Sequence, residues 1–256
     1  MSRTHTKPVS SEASTYPDRY LKNISVNRIP LFVAFFFIAD IALLSFYIVN
    51  QVVGTPFDTL TRLLDLNGET SLSNWYSVIQ LACVAALTGL FAFRNVRTGQ
   101  IRTWPLLLLP LIFITLSIDE SVSIHEWLGE KSDVLLPGNS RENTFFTETG
   151  IWMFLVGIPF FAGFLGIIYI LRRYFRTVPG VLPKFLMGLA IMATGATLIE
   201  ILSNFVKYDS AWYHLELVCE EGCEMLGVTI ILWAIYDLLL GHDLYIHLDP
   251  VDEQWP

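Results

Sequence analysis

Charge is scarce along this chain. Only 16% of its 256 residues are Asp, Glu, Lys or Arg, while 53% are hydrophobic, and soluble domains carry about a quarter charged. With a mean hydropathy of +0.51, a water-soluble globule is excluded. Basic residues are the scarcest charge: 16 Lys and Arg stand against 24 Asp and Glu, for a net charge of -8. No basic run exceeds Arg172-Arg173, so nothing is suited to displacing counterions from a phosphate backbone, and nucleic-acid binding is excluded. Three cysteines cannot build a disulfide framework. Cys219 and Cys223, four apart on one predicted helix, read as small buried hydrophobes. Residues 1–29 lack the apolar core and small-residue cleavage site of a secretory signal and read as a retained cytoplasmic tail.

Long apolar runs fill the rest. A helix needs about 20 residues to cross roughly 30 Å of hydrocarbon, and six segments qualify, at about Leu31–Val53, Asn74–Phe93, Trp104–Ile118, Thr149–Leu171, Pro183–Leu202 and Tyr213–Leu240. The third is short unless its helix runs on into the polar stretch DESVSIHEWL. The fold class predicted is therefore all-α: a polytopic integral membrane protein, a six-transmembrane-helix bundle over residues 30–240, flanked by tails at 1–29 and 241–256. Pairs such as Ala85 and Gly89, Ala162 and Gly166, and Gly188 and Gly195 read as close-approach points between helices. Pro105, Pro110 and Pro159 read as helix starts or kinks.

Orientation is set by the basic flanks, which stay cytoplasmic. With both termini inside, all of the 16 Lys and Arg except Arg62, Lys131, Arg141 and Lys207 fall on the cytoplasmic side. The location expected is a bacterial inner membrane.

This topology gathers carboxylates at the extracytoplasmic ends of spans three to six. Span three ends in Asp119, Glu120, His125 and Glu126; span four opens at Glu148; span five carries Glu200; span six carries His214, Glu216, Glu220, Glu221 and Glu224. At 1.5 Å rise per residue, Asp119 lies roughly 22 Å from Trp104, Glu200 about 25 Å from Pro183 and Glu224 about 18 Å from Tyr236, nearly one depth. On span six the five polar residues fall within an arc of about 160°, one wall of a helix. Apart from Lys184, at the opposite end of span five, these spans hold no Lys or Arg, so bound cations or protons must balance the charge.

Carboxylates and imidazoles projecting from several helices are also how helical bundles hold zinc, iron or manganese. Asp119, Glu120, His125, Glu200, His214, Glu221 and Glu224 are accordingly the candidate ligands for one or two divalent metals. The leading expectation is metal-assisted hydrolytic or oxidative chemistry on a lipid-soluble substrate. The partners expected are membrane lipid and that substrate, with a second membrane protein or a homo-oligomer as further options.

Two other readings use the same residues. In a cation or proton transporter, mid-membrane Asp40 would serve as a relay, although the inner halves of spans three to five offer almost no polar route. In an accessory subunit of a larger complex, the acids would only organise packing, and Glu126, Glu148 and Glu216 would be solvated interfacial groups. Gln80 reads as an interhelical hydrogen bond, Asp237 as a group reaching water at the cytoplasmic end, and the loop from Gly129 to Thr147 as a lid over the site.

The pair Glu220-Glu221 resembles the double glutamate of CAAX-type membrane proteases, but the arginine expected a few residues later in that family is missing and the histidine motifs differ. Membrane hydrolases of the alkaline-ceramidase type hold zinc with three histidines, where this end of the chain offers His125 and His214. Neither family is assigned.

Overall fold

A computed structural model describes residues 29–97, 101–141, 144–146, 149–208 and 210–242, without the side chains of 101 and 102. Residues 1–28 and 243–256 of the two expected tails, and Glu148, lie outside them. Among the described residues the structure is helical, with no strand. In chain order the helices are α1 (Leu31–Val53), α2 (Asp58–Leu64), α3 (Leu72–Arg97), α4 (Leu108–Val122), α5 (Ile124–Ser132), α6 (Ile158–Phe175), α7 (Val181–Ala193), α8 (Glu200–Ser203) and α9 (Ala211–Leu240). A 3-10 turn (Ile101–Leu107) leads into α4, a π-turn (Met153–Gly157) into α6, and a second π-turn (Thr194–Ile199) joins α7 to α8. Counting these extensions, six helices are long and apolar enough to cross a membrane. Pro105 lies inside the 3-10 turn, and Pro159 follows the π-turn within the helix Met153–Phe175.

The bundle is organised around α9. Its buried residues include the unbroken run Gly227–Leu232, so more than one face is covered, as expected of a helix at the centre of a bundle. α7 packs closest to it, at glycines. A Cβ on Gly188 would stand 2.7 Å from the Gly227 carbonyl, one on Gly227 2.5 Å from the Met192 amide nitrogen, and one on Gly195 2.6 Å from the Glu220 carbonyl. These positions let two backbones touch. By contrast a Cβ on Gly166 would meet nothing within 4 Å, so the pairing expected of Ala162 and Gly166 is not made there.

A buried polar knot joins α1, α3 and α9. Asp40 is 0% exposed, and its carboxylate accepts from Tyr76 Oη at 2.6 Å, Gln80 Nε2 at 2.9 Å and Thr229 Oγ1 at 2.8 Å. Gln80 Nε2 also donates to Thr229 Oγ1 at 2.8 Å. Gln80 thus makes the interhelical bond expected of it, and Asp40 is held by three donors. At the opposite end of α9 from its glutamates, Asp237 does not reach freely into water. It pairs with Lys184, which lies over the Trp233 ring, and both charged side chains are largely buried.

The third span does not run on as one helix through the polar stretch. Ser123 is left-handed (φ +50°) and separates α4 from α5. The Asp119 carboxylate explains the break, because it accepts the backbone N–H of His125 at 2.8 Å and so satisfies a donor that the new helix would leave unpaired at its start. α5 therefore sets off in a new direction, carrying His125, Glu126 and Glu130 with it.

The glycine contacts predict opposite outcomes for two substitutions, read as thermal unfolding in detergent. Gly227→Leu overfills the α7–α9 seam and destabilises by about 1–3 kcal/mol or more. Gly166→Ala stays within about 1 kcal/mol of the parent.

Candidate functional site

Ser210 caps α9, its Oγ accepting the Tyr213 N–H at 3.2 Å. The next turns of α9 carry Glu216, Glu220 and Glu224 at spacings of four, with Glu221 alongside, which places them on one side of the helix. All four line a cavity of about 410 Å³. Across it stand Glu120 from the end of α4 and His125, Glu126 and Glu130 from α5. Glu200 enters directly after the second π-turn, whose extra residue rotates α8 relative to α7. Glu69, from the loop before α3, completes the acidic lining. Among the described lining residues the only Lys or Arg is Arg141, and its Nε donates to both oxygens of Asp133, at 2.7 and 2.8 Å. Arg141 belongs to the loop expected to cover the mouth.

A second cavity, of about 300 Å³, adjoins the first and has a different character. Its walls are largely apolar, with Leu81, Leu116, Phe160, Phe164, Met192 and Val228 among them. Glu120, His125, Trp152, Glu200 and Glu224 line both spaces and so mark the junction between them. Both π-turns contribute to the apolar chamber, through Val156 and Gly157 on one side and Ala196 and Thr197 on the other.

Of the seven residues singled out in the sequence, Glu120, His125, Glu200, Glu221 and Glu224 line the acidic cavity. Asp119 lines the apolar chamber instead and lies 3.1 Å from His125 Nδ1. His214 lines neither; its Nδ1 is 2.8 Å from Tyr47 Oη, so it binds α9 to α1. Glu126 and Glu216 also line the acidic cavity; Glu126 is exposed, as expected of a solvated group, and Glu216 is half-buried. Among the described residues no three His, Cys, Asp or Glu side chains are placed to hold one metal ion. The three cysteines are free. Glu69, Glu130 and Trp152 were not among the candidates read from the sequence. The four-residue step from Glu126 to Glu130 was a usable signal, whereas Glu69, in a loop, carries none.

His125 lies outside the spans and is the one imidazole among the described lining residues. Burial alone lowers its pKa, but the Asp119 hydrogen bond and charge, and then the charges of Glu200 and Glu120, outweigh that and push it up to about 9. The ring is therefore a cation at neutral pH, beside Trp152 at a centroid distance of 5.7 Å. Glu126 is pushed above the ordinary carboxylate range, first by burial and then by its hydrogen bond with Glu69 and that group's charge.

A group whose folded pKa exceeds its unfolded value of about 6.5 stabilises the fold fully below that value and loses the contribution as pH rises through the folded value. The His125 contribution is accordingly complete below about pH 6.5 and is lost as the pH rises through about 9. Histidine-selective NMR should give a midpoint near 9 in the parent and a clearly lower one in Asp119→Asn; an unchanged midpoint would mean that Asp119 does not hold the proton.

No curated protein and no solved structure matches this chain. One family model does, that of a domain of unknown function, DUF8692, and it matches residues 30–240. That stretch takes in all six membrane-length helices and both cavities, and the chain belongs to the DUF8692 family.

Proposed function

We propose that this protein is a membrane-embedded enzyme that draws one or two divalent metal ions, zinc, iron or manganese, into the acidic cavity and acts on a lipid-soluble substrate reaching it from the bilayer. The observation that carries this reading is the charge imbalance of the cavity lining. Glutamates contributed from α4, α5, α8, α9 and the loop before α3 line it, with Arg141 and His125 as the basic groups among the described residues. Carboxylates crowded at membrane depth need cations or protons to balance them. Glu120, Glu200, Glu221 and Glu224 are the residues we assign to the metal, with His125 and its partner Asp119 beside them as proton carriers. No three of these groups stand ready to hold one ion, so binding must draw the side chains inward across the cavity. A bound metal supplies a Lewis acid or an activated water, and the protonated His125 supplies a proton at the junction.

The transporter reading is weaker. What favours a one-sided site is the packing beyond the Asp40 knot, where Phe91, Phe113, Phe175, Phe185 and Leu106 are fully buried. We further propose an inner-membrane location with the acidic end on the extracytoplasmic face and both termini in the cytoplasm. The Arg172-Arg173 and Arg176 flank then lies inside, as the positive-inside tendency requires.

Alkaline phosphatase fused after Tyr208 should be active and fused after Thr177 inactive; the reverse pattern would invert the topology. Elemental analysis of detergent-purified protein supplied with zinc, iron and manganese should find one or two ions per chain. That content should fall to background in the double substitution Glu221→Gln and Glu224→Gln. Parent protein that retains no metal, and gains no melting temperature from an excess of any of the three, would overturn the metal assignment, since a ligand at 100 times its Kd adds about 2.7 kcal/mol.

A further inference from the structure

The junction between the two cavities indicates what kind of molecule they take. Each space falls within the roughly 300–1,000 Å³ typical of small-molecule sites, at about 410 and 300 Å³. One is acid-walled and the other apolar, and they meet at Glu120, His125, Trp152, Glu200 and Glu224. A wholly polar ligand leaves the chamber dry, and a plain hydrocarbon leaves the acids unmatched. An amphiphile fits both.

The hydrogen-bonding character of the walls narrows the head group. Carboxylate oxygens accept hydrogen bonds, and the basic groups among the described lining residues are Arg141, held by Asp133, and His125. A second, independent observation points the same way. Gln80 is 0% exposed and lines the apolar chamber, yet its Oε1 has no hydrogen-bond partner, while its Nε2 is taken up by the acceptors of the Asp40 knot. That Nε2 also lies 3.5 Å from the Met225 carbonyl, which sets the side chain close to the level of Glu224. A buried acceptor without a donor is destabilising, and a ligand that donates there relieves the cost. Glu216 Oε1, on the acidic side, is also buried without a partner.

The apolar chamber also has an open side. Ile124, Val156 and Phe160 line it and are themselves exposed, which places the opening between α5 and the start of α6. That is a lateral route for a molecule dissolved in lipid.

We infer that the substrate is a single-chain amphiphile with a non-anionic head that donates hydrogen bonds, an amine or hydroxyl, seated at the Glu120, Glu200 and Glu224 junction with its chain in the apolar chamber, and that phosphate-headed lipids are rejected. The inference rests on the proposed one-sided site and adds the shape and head chemistry of its substrate.

Photolabelling tests it directly. Dodecylamine carrying a diazirine at the chain end, added to the protein in lipid nanodiscs, should label α6 and α7 at chamber residues such as Phe160, Phe164 and Met192, with unlabelled dodecylamine competing. Labelling there should exceed that of the matching dodecyl phosphate probe by at least tenfold. Ala196→Phe and Val156→Trp, which fill the chamber from opposite walls, should each reduce labelling more than fivefold while leaving metal content unchanged. Labelling confined to positions outside the chamber, or equal labelling by the phosphate probe in the parent protein, would overturn the inference. Metal content measured on the same samples separates the two proposals: labelling retained without metal tells against the ion, and metal retained without labelling tells against the substrate class.

Discussion

Carboxylates crowded around one cavity of a helical bundle are the constraint on which this structure turns. An isolated carboxylate is costly to move out of water, and a crowd of them is costlier because each raises the energy of the next. Charged groups within membrane bundles usually pair with one another or with backbone carbonyls. Here the described cavity wall has Arg141, already engaged with Asp133, and the cationic His125 held by Asp119. In the proposed account the remaining balance comes from bound cations, and a cavity of about 410 Å³ leaves room for them.

Several local features have their reason in that cavity. The break at Ser123 turns α5 so that His125 and the exposed Glu126 line the cavity, and Asp119 serves both as the cap that permits the break and as the partner of the imidazole. The π-turn before α8 delivers Glu200 to the same wall. Close packing of α7 on α9 through Gly188, Gly195 and Gly227 fixes the depth of Glu220 and Glu224 against Glu200. The Asp40 knot, satisfied by three donors, and the phenylalanine-rich core beyond it support the proposed one-sided site.

The membrane helices were legible because length and apolarity alone predict them. The row Glu216, Glu220, Glu221 and Glu224 was legible because α9 keeps a regular helix through those turns, so that 100° per residue places each side chain correctly. The same arithmetic put His214 on that wall, yet the ring turns to Tyr47; an arc of about 160° is wide enough to reach two neighbours. Regular helix geometry was also the assumption that failed at Ser123, where neither proline nor glycine announces a break and the deciding contact is a side chain six residues from its target. The π-turns are invisible to periodicity for the same reason. Gly227 gave no signal because its partners, Gly188 and Met192, belong to another helix. The apolar chamber had no sequence signal at all, since its lining consists of ordinary core residues drawn from separate helices.

Anomalous diffraction from crystals grown with manganese or zinc tests most directly whether an external cation balances the enclosed carboxylates. The account predicts a peak inside the acidic cavity with oxygen ligands from Glu120, Glu200, Glu221 or Glu224 drawn in toward it. A cavity without a peak, in which those glutamates pair with one another at short oxygen–oxygen distances, would show that protons alone carry the balance and would contradict it.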